Sequence, residues 1–339
     1  MARFVRFLCS ALVLSLLLTG CQTAPKAHDC QFVAMDTFMS LTAYGENAQT
    51  ALTRAQEEIL ALDTALDVNN EKSRVYAINH RQQDTVPLSG EVEQLLSLSL
   101  ELARETGGAF DPTIYPVVRK WGFTTGAYQL PTSHELEQAL SLVGHEDLFL
   151  GQGSLTLKEG AQLDFGGIGK GWAGDRAAQA LRDRGVTSAI LRLGGNIQTL
   201  GTKPDGSLWT VGIQDPATGD NLATLAVADL SVVTSGSYQR YFTVNGQVYH
   251  HIIDPATGLP ADNGLTSVTI IAPSGARCDA LSTALFVMGP DGAARFWREH
   301  RDFEAVFVFD DGSVAITNGL QGNFTLTPAF SHRRLEVLE

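Results

Sequence analysis

Apolar residues recur at three- and four-residue steps in several stretches of the chain, which is the spacing of one helix face. In residues 48–67 these positions are Leu52, Ala55, Ile59, Leu62 and Leu66. Residues 89–108 predict a second helix, which ends at a pair of glycines. A third begins at Thr132, which is expected to form a capping box with Glu135. Residues 69–80 are predicted to be an irregular polar loop.

The rest of the chain combines short apolar strands with two more helices. The helices are predicted over residues 169–185 and 276–290, and glycine closes both of them. Strand-like stretches include residues 34–45, residues 187–196 and a hairpin whose turn lies at 310–312. Because strands and helices do not alternate regularly, the pattern indicates an α+β fold rather than a doubly wound sheet.

The N-terminus has the features of an export signal. Arg3 and Arg6 precede an apolar run, and small residues lead up to Cys21. Residues 1–20 therefore resemble a bacterial lipoprotein signal peptide, after which Cys21 would carry the lipid; an ordinary signal peptide is the alternative. Residues 21–31 are predicted to be a polar tether. Gln22, rather than Asp, after the cysteine favours the outer membrane of a Gram-negative cell, facing the periplasm.

The composition supports a large globular core and excludes some partners. Of the 339 residues 44% are hydrophobic, and 37 acidic side chains outnumber 24 basic ones. An acidic chain repels nucleic acid, so we expect no nucleic-acid partner, and a phosphorylated ligand would need a local cation or backbone N–H groups. After export and acylation of Cys21 only Cys30 and Cys278 would remain, and we expect two free thiols with Cys278 buried.

A glycine-rich stretch, LDFGGIGKGWAGD, follows a predicted strand and opens the predicted helix at 169. Its backbone N–H groups could face an anion, and Lys170 could place a charge on a phosphate. It is not a Walker A loop, and the formal dinucleotide fingerprint lacks the acidic residue expected about twenty positions later. A tight turn with close helix packing is the alternative.

Asp279 and Thr283 lie four residues apart on a predicted helix and therefore project from one face. A carboxylate beside a hydroxyl suits a hard cation such as Mg²⁺, which keeps waters and shares substrate phosphates. The alternative is an aspartate that favours the helix dipole and a threonine bonded back to its own helix.

The motif Asp-Pro-Ala-Thr-Gly occurs twice, at 215–219 and at 254–258, and it is a good turn sequence without any chemistry. Only the second copy follows two histidines, His250 and His251. On a strand, one of these faces inward and the other outward. Such a histidine could be a general base or a structural residue. The aromatic stretch at 106–123 could stack a flat ring or form a corner of the core.

The order of these motifs resembles the ApbE family, the FAD:protein FMN transferases, which are often bacterial lipoproteins. The matching segments are MDT, KSRVYAIN, TGGAFDPTIYPVVRKWGF, LDFGGIGKGWAGD, LRLGGN, SGSYQRYF, HHIIDPATGLP and RCDALSTALFVMG. The resemblance covers residues 32–335 and implies a single catalytic domain of two intimate subdomains, with mixed sheets and packed helices. It also implies Mg²⁺-dependent transfer of FMN from FAD to a Ser or Thr hydroxyl of a target protein, typically a membrane redox subunit, with release of AMP.

The resemblance also implies site residues. Asp279, Thr283 and the backbone carbonyl of Gly167 would hold the metal, and His251 would accept the proton of the target hydroxyl. The residues expected to contact the flavin nucleotide are Met35, Asn69, Ser73, Ala109, Phe110, Asp111, Asp164, Lys170 and Ile253. Mg²⁺ and Lys170 would neutralise charge at the pyrophosphate.

Two positions depart from the family pattern. The family usually has glycine where this chain has Asp36, and often aspartate where it has Asn196. A carboxylate at 36 could disturb flavin entry or point outward. Two other functions fit the same residues: a Mg²⁺-dependent FAD pyrophosphatase that uses water as nucleophile, and a non-catalytic FAD-binding lipoprotein.

Overall fold

The computed structural model describes residues 25–151 and 153–339. The predicted signal peptide and the lipidation site Cys21 lie outside these residues. The α-helices in the described part of the chain are α1 (Ala48–Leu66), α2 (Arg74–Asn79), α3 (Glu91–Glu105), α4 (Tyr115–Trp121), α5 (Ser133–Leu140), α6 (Gly169–Arg182) and α7 (Gly275–His300). None of these helices has both the length and the apolar character needed to span a membrane.

Seventeen strands form one large sheet and three small ones within the described residues. The strands are β1 (Ala27–Ala34), β2 (Thr37–Tyr44), β3 (Thr85–Pro87), β4 (Leu148–Gly151), β5 (Ser154–Leu157), β6 (Ala189–Leu193), β7 (Asn196–Leu200), β8 (Trp209–Gln214), β9 (Asn221–Val227), β10 (Ser231–Gly236), β11 (Tyr241–Val244), β12 (Gln247–His250), β13 (Leu265–Ala272), β14 (Glu304–Phe309), β15 (Val314–Thr317), β16 (Phe324–Leu326) and β17 (Leu335–Leu338). The nine-stranded sheet has the order β1-β2-β6-β7-β10-β13-β14-β15-β17. Helices and sheets of this kind confirm the predicted α+β fold.

The nine-stranded sheet is antiparallel except at β15–β17, and its inner face carries α1, α6 and α7. In β2 the buried side chains alternate, as a half-buried strand requires. They pack with the apolar face of α1 in one core, while a second core lies between α7 and strands β13 and β14. The site described below lies where α6 and α7 meet above this sheet.

The predicted tether at 21–31 was wrong for residues 27–31, which belong to β1. Alternate side chains of β1, from His28 to Ala34, turn toward α1, and Cys30 Sγ donates to Gln56 Oε1 at 3.2 Å. Pairing with β2 satisfies the backbone of β1 over its whole length. Cys30 and Cys278 are both free thiols, and Cys278 is buried, as predicted.

Three other local predictions need correction. The loop at 69–80 contains helix α2, because Ser73 Oγ caps it by accepting from Tyr76 N at 2.8 Å. The helix at 276–290 breaks at Gly289 but resumes at Pro290 and continues to His300.

The strand predicted before the glycines is also absent. Residues 161–165 are not a strand, because the Asn79 side chain takes both backbone groups of Leu163, at 2.7 and 2.8 Å. The aromatic stretch contains helix α4, which the periodicity did not predict. The capping box of Thr132 and Glu135 is confirmed, with both of its hydrogen bonds present.

Asp36 occupies a tight turn between β1 and β2. Both turn residues, Met35 and Asp36, have positive φ angles, of 50° and 57°. The side chain of Asp36 is exposed. Its carboxylate therefore points to solvent at a position where glycine is the least strained residue.

Replacing Asp36 by glycine is expected to stabilise the fold. Relief of left-handed strain, about 1–2 kcal/mol, exceeds the extra backbone entropy of glycine, about 0.5–1 kcal/mol, so we expect a net gain of about 0.5 kcal/mol. The check is an upward shift of the urea midpoint. Gln31→Gly, an exposed position in β1, should shift the midpoint downward; a similar downward shift for Asp36→Gly would contradict the strain argument.

Candidate active site

Helices α6 and α7 begin beside each other, and their first turns touch through glycine. A Cβ atom on Gly171 would lie only 2.1 Å from the carbonyl oxygen of Gly275. The N–H group of Gly171 donates to Asp279 Oδ2 at 2.8 Å. Asp279 is 4% exposed, so this carboxylate is held inside the junction of the two helices. The glycine-rich stretch therefore provides close helix packing, which was the alternative to an anion-binding loop.

Oxygen atoms gather around the free side of Asp279. Lys170 Nζ lies 4.0 Å from Asp279 Oδ1. One turn along α7, the Thr283 hydroxyl lies 3.4 Å from the Asp279 carbonyl oxygen and 3.3 Å from Ser235 Oγ. A Cβ atom on Gly167 would lie 3.6 Å from Thr283 Oγ1, so the backbone of Gly167 borders the same space. The structure thus brings Gly167, Asp279 and Thr283 together, with Lys170 beside them.

Gly167, Asp279 and Thr283 offer hard oxygen donors, and only the Asp279 carboxylate among them is charged. Within the described part of the chain there is no cluster of three or more His, Cys, Asp or Glu residues that could hold a metal. A carboxylate, a hydroxyl and a carbonyl fit a Mg²⁺ ion that completes its shell with water and substrate phosphates. They do not form an all-protein cage.

Asp164 lies in the loop before α6. Its Oδ1 accepts from Gly166 N at 2.5 Å, and its own N–H donates to Pro112 O at 2.8 Å. Burial raises the pKa of Asp164, while the Gly166 N–H and the cations Arg240 and Lys170 act in the opposite direction. The net shift of the Asp164 pKa is upward, although two cations lie near the carboxyl.

His251 follows strand β12 and keeps one ring nitrogen free for chemistry. Its Nδ1 lies 3.2 Å from the Arg240 carbonyl oxygen, which can only accept, so Nδ1 carries the proton. Nε2 is then left with its lone pair. Burial lowers the pKa of His251 to about 3, and the charges of Arg240 and Lys170 contribute to this shift. The imidazole is therefore neutral near pH 7.

His250 uses both of its ring nitrogens structurally. Its Nε2 donates to Ala261 O at 2.9 Å, and its Nδ1 accepts from Ile252 N at 3.3 Å. It is 8% exposed and packs edge-on to Phe286. One histidine of the pair is buried and the other keeps a ring nitrogen free, although His251 lies just beyond the strand and not on it as expected.

The two Asp-Pro-Ala-Thr-Gly copies form the same turn. In each, the glycine N–H donates to the aspartate carbonyl, at 2.9 Å in Gly219 and 2.8 Å in Gly258. The copies differ in their surroundings. Asp215 is fully buried and lies 2.8 Å from Arg333 Nη1, whereas the Gly258 carbonyl accepts from Trp121 Nε1 at 2.8 Å. The second turn is thereby anchored to helix α4, just after His251.

An aromatic cluster borders His251. The Phe123 ring lies edge-on to the imidazole, with centroids 6.3 Å apart, and Tyr128 stacks on Phe242 at 5.1 Å. Trp121 and Phe123 are buried with Ile253 in one apolar core cluster. The aromatic stretch at 106–123 therefore forms a corner of the core, which was one of its two predicted roles.

The remaining residues predicted to contact the nucleotide have clear local partners. Met35 N donates to Asp63 Oδ1 at 2.8 Å, and Asn69 Nδ2 donates to Thr124 O at 2.8 Å. Ser73, as described above, caps α2. Contact of these residues with the nucleotide stays a prediction.

The segment from Ala109 to Asp111 lies beside Gly167. The buried ring of Phe110 would lie 3.3 Å from a Cβ atom on Gly167, so this ring borders the metal-donor group. The Asp111 carboxylate accepts from Thr113 and from both the N–H and Nδ1 of His145, at 2.6–3.0 Å. It therefore holds the loop together.

Three residues near the site were missed by sequence reasoning. The carbonyl of Arg240 contacts His251, and the Arg240 charge lowers the pKa of that histidine. The Ser235 hydroxyl lies within hydrogen-bond distance of Thr283 and Ser282. The Asp175 carboxylate accepts from the start of α7. Arg240 and Ser235 lie in SGSYQRYF, and Asp175 ends LDFGGIGKGWAGD. Both segments are among the motifs that resemble the family. The roles of these three residues, however, depend on partners that are distant in the sequence.

Comparison with known proteins agrees with this arrangement. The family model described as the ApbE family matches residues 35–307. The chain is 33% identical over 311 residues to an FAD:protein FMN transferase of Treponema pallidum, covering 85% of this chain and 86% of that protein. It is 31% identical over 299 residues to one of Klebsiella pneumoniae, covering 86% and 92%.

Solved structures agree as well. The ApbE protein of Thermotoga maritima superposes with a TM-score of 0.83 at 30% identity, covering 88% of this chain and 99% of that one. The apo form of the flavinyl transferase ApbE of Pseudomonas stutzeri gives 0.78 at 28% identity, covering 91% and 97%. Sequence and fold agree over most of both chains, and this protein therefore belongs to the ApbE family.

Proposed function

We propose that this enzyme transfers FMN from FAD to a Ser or Thr hydroxyl of a target protein, with Mg²⁺ as cofactor and AMP as leaving group. Flavin transfer from FAD follows from membership of the family, whose curated relatives are named FAD:protein FMN transferases. The observation that carries the finer proposal is the position of Lys170, whose charge acts on Asp279, Asp164 and His251 together. A diphosphate placed beside Lys170 would be near the carboxylate suited to a metal and within the reach of the cation that acts on His251.

The reaction balances with groups of this chain. The acceptor hydroxyl oxygen forms a bond to the FMN phosphorus, and its proton passes to Nε2 of His251. The bond from that phosphorus to the bridging oxygen breaks, and AMP leaves with the electron pair. Lys170 and Arg240 would stabilise the negative charge that accumulates on the phosphoryl oxygens.

Asp279, Thr283 and the Gly167 carbonyl would hold Mg²⁺. When bound, the ion neutralises phosphate charge and aligns the diphosphate. Asp279 can keep its Oδ2 on Gly171 N while Oδ1 faces the ion, so the helix junction and the metal site share one carboxylate. Phosphoryl transfer of this kind requires positioning and charge more than covalent catalysis.

The location and partner belong to the same proposal. The leader sequence and Cys21 support a lipid-anchored protein on the outer membrane, facing the periplasm. An anchored transferase would meet membrane targets, which is consistent with a redox subunit as acceptor. Replacing Cys21 by serine and fractionating the cells tests the anchor, since a protein still in the membrane fraction would contradict it.

The test of the reaction uses protein that lacks residues 1–21. It is mixed with FAD, Mg²⁺ and a candidate acceptor protein, and both in-gel flavin fluorescence and AMP are measured. A fluorescent acceptor band with equimolar AMP supports the proposal. AMP and free FMN with a dark acceptor would instead indicate the pyrophosphatase. Tight FAD binding without either product would indicate a flavin carrier.

A further inference from the structure

The first turns of α6 and α7 contact each other backbone to backbone. A Cβ atom on Gly275 would lie 2.7 Å from the carbonyl oxygen of Gly171, in addition to the 2.1 Å contact in the other direction. No side chain fits between the two helices at this point. Side chains that hold the two helices in position therefore come from the neighbouring turns.

Two aspartates act across this contact in a reciprocal arrangement. Asp175 lies four residues after Gly171 and accepts from Gly275 N at 2.7 Å. Asp279 lies four residues after Gly275 and accepts from Gly171 N at 2.8 Å. Each helix thus supplies a carboxylate to the first turn of the other, where unpaired N–H groups and the positive end of the helix dipole favour an anion.

The two carboxylates differ in what else they bind. Asp175 Oδ1 also accepts from Gln198 Nε2 at 3.0 Å, and its Oδ2 accepts from Ser274 Oγ and Ala276 N, each at 3.0 Å. Asp175 therefore ties α6 to strand β7 and to the start of α7. Asp279 keeps Oδ1 for a ligand, with Lys170 at 4.0 Å.

We propose that Asp175 is a positioning residue for the metal site, an inference that rests on the proposed function. Asp279 and Thr283 lie on α7, whereas Gly167 and Lys170 lie at the start of α6. The distance between these two sets depends on how the helix starts are held together. Asp175 accepts three of the hydrogen bonds that hold them, from Ser274, Gly275 and Ala276, and a fourth from Gln198 on β7. None of these partners is one of the proposed metal donors.

The test is Asp175→Asn in protein lacking residues 1–21. All hydrogen-bond partners of the Asp175 side chain are donors. In the asparagine variant the side-chain NH₂ group would face some of these donors, and the hydrogen bonds to that half of the side chain would be lost. Binding of Mn²⁺ is measured by electron paramagnetic resonance, with and without FAD. We expect the Mn²⁺ dissociation constant to rise about tenfold, as for other residues that support metal ligands, and kcat to recover at saturating metal. Asp183→Asn is the matched control, because Asp183 is exposed at the C-terminal end of α6 and its carboxylate accepts one side-chain hydrogen bond, from Gln179 Nε2.

If Asp175→Asn does not fold, Ser274→Ala removes one of the four bonds and should give a smaller rise in the same constant. A lower melting temperature with unchanged Mn²⁺ affinity in these variants would overturn the inference, as would a parent protein that binds no Mn²⁺. A parent protein that binds Mn²⁺ but flavinylates no acceptor would instead count against the proposed reaction and leave this inference standing.

Discussion

Replacing His251 by alanine is expected to lower the rate of FMN transfer by about 10²–10⁴-fold, the range for loss of a general base. Its Nδ1–H is held by the Arg240 carbonyl, which leaves Nε2 as the acceptor for the hydroxyl proton. FAD binding should remain, because Lys170 and the metal donor Asp279 are untouched. The measurement is single-turnover flavinylation of an acceptor protein, beside FAD binding by flavin fluorescence.

His134→Ala is the matched control, since His134 is an exposed histidine on α5 bonded to Gln138. That variant should retain full activity. His251→Ala with unchanged single-turnover kinetics would remove the imidazole from the mechanism, and loss of FAD binding would turn His251 into a binding residue.

The pH dependence gives a second signature of His251. Its pKa of about 3 in the free enzyme is due first to burial and then to Arg240 and Lys170. A bound diphosphate offsets these two cations, so the pKa must rise in the complex. The acid limb of kcat should therefore lie at higher pH than that of kcat/KM. Coincident limbs, or a reversed order, would contradict this coupling.

Replacing Asp279 by asparagine is expected to lower transfer by about 10³-fold or more, because it removes the only charged metal donor of the set. The asparagine side-chain oxygen can still accept from Gly171 N, so the helix junction should persist. The half-saturating Mg²⁺ concentration should rise together with the loss of rate. Steady-state rates over a Mg²⁺ titration, with melting temperature in parallel, measure both effects.

Asp291→Asn is the control for this variant, because Asp291 lies on the same helix and is exposed. It should leave rate and metal dependence unchanged. If Asp279→Asn lost activity but kept the Mg²⁺ titration of the parent protein, the carboxylate would serve only the helix junction, and the metal would have to be held elsewhere.

Local sequence determined those features whose partners are close along the chain. The capping box of Thr132 and Glu135 and the paired Asp-Pro-Ala-Thr-Gly turns form as predicted, because their hydrogen bonds span only three or four residues. The amphipathic helix α1 follows from its apolar spacing in the same way. The order of the motifs was enough to identify the family, which the comparisons confirm.

Other local predictions failed where a distant partner decided the conformation. Residues before the glycines are not a strand because Asn79, more than eighty residues earlier, takes the backbone of Leu163. The last residues of the predicted tether, 27–31, belong to β1 because β2 offers them a full antiparallel ladder. Neither partner can be deduced from composition or periodicity.

The same distinction between local sequence and distant partners applies to the chemistry of the site. The sequence alone supplied the residue types: a carboxylate and hydroxyl four apart, a lysine among glycines, and two adjacent histidines before a turn. Only the tertiary structure decided which histidine keeps a free nitrogen, since this depends on the carbonyls of Arg240 and Ala261. It also decided that Asp175 and Asp279 cap each other's helices, because hydrogen bonds between elements a hundred residues apart leave no periodic trace in the chain.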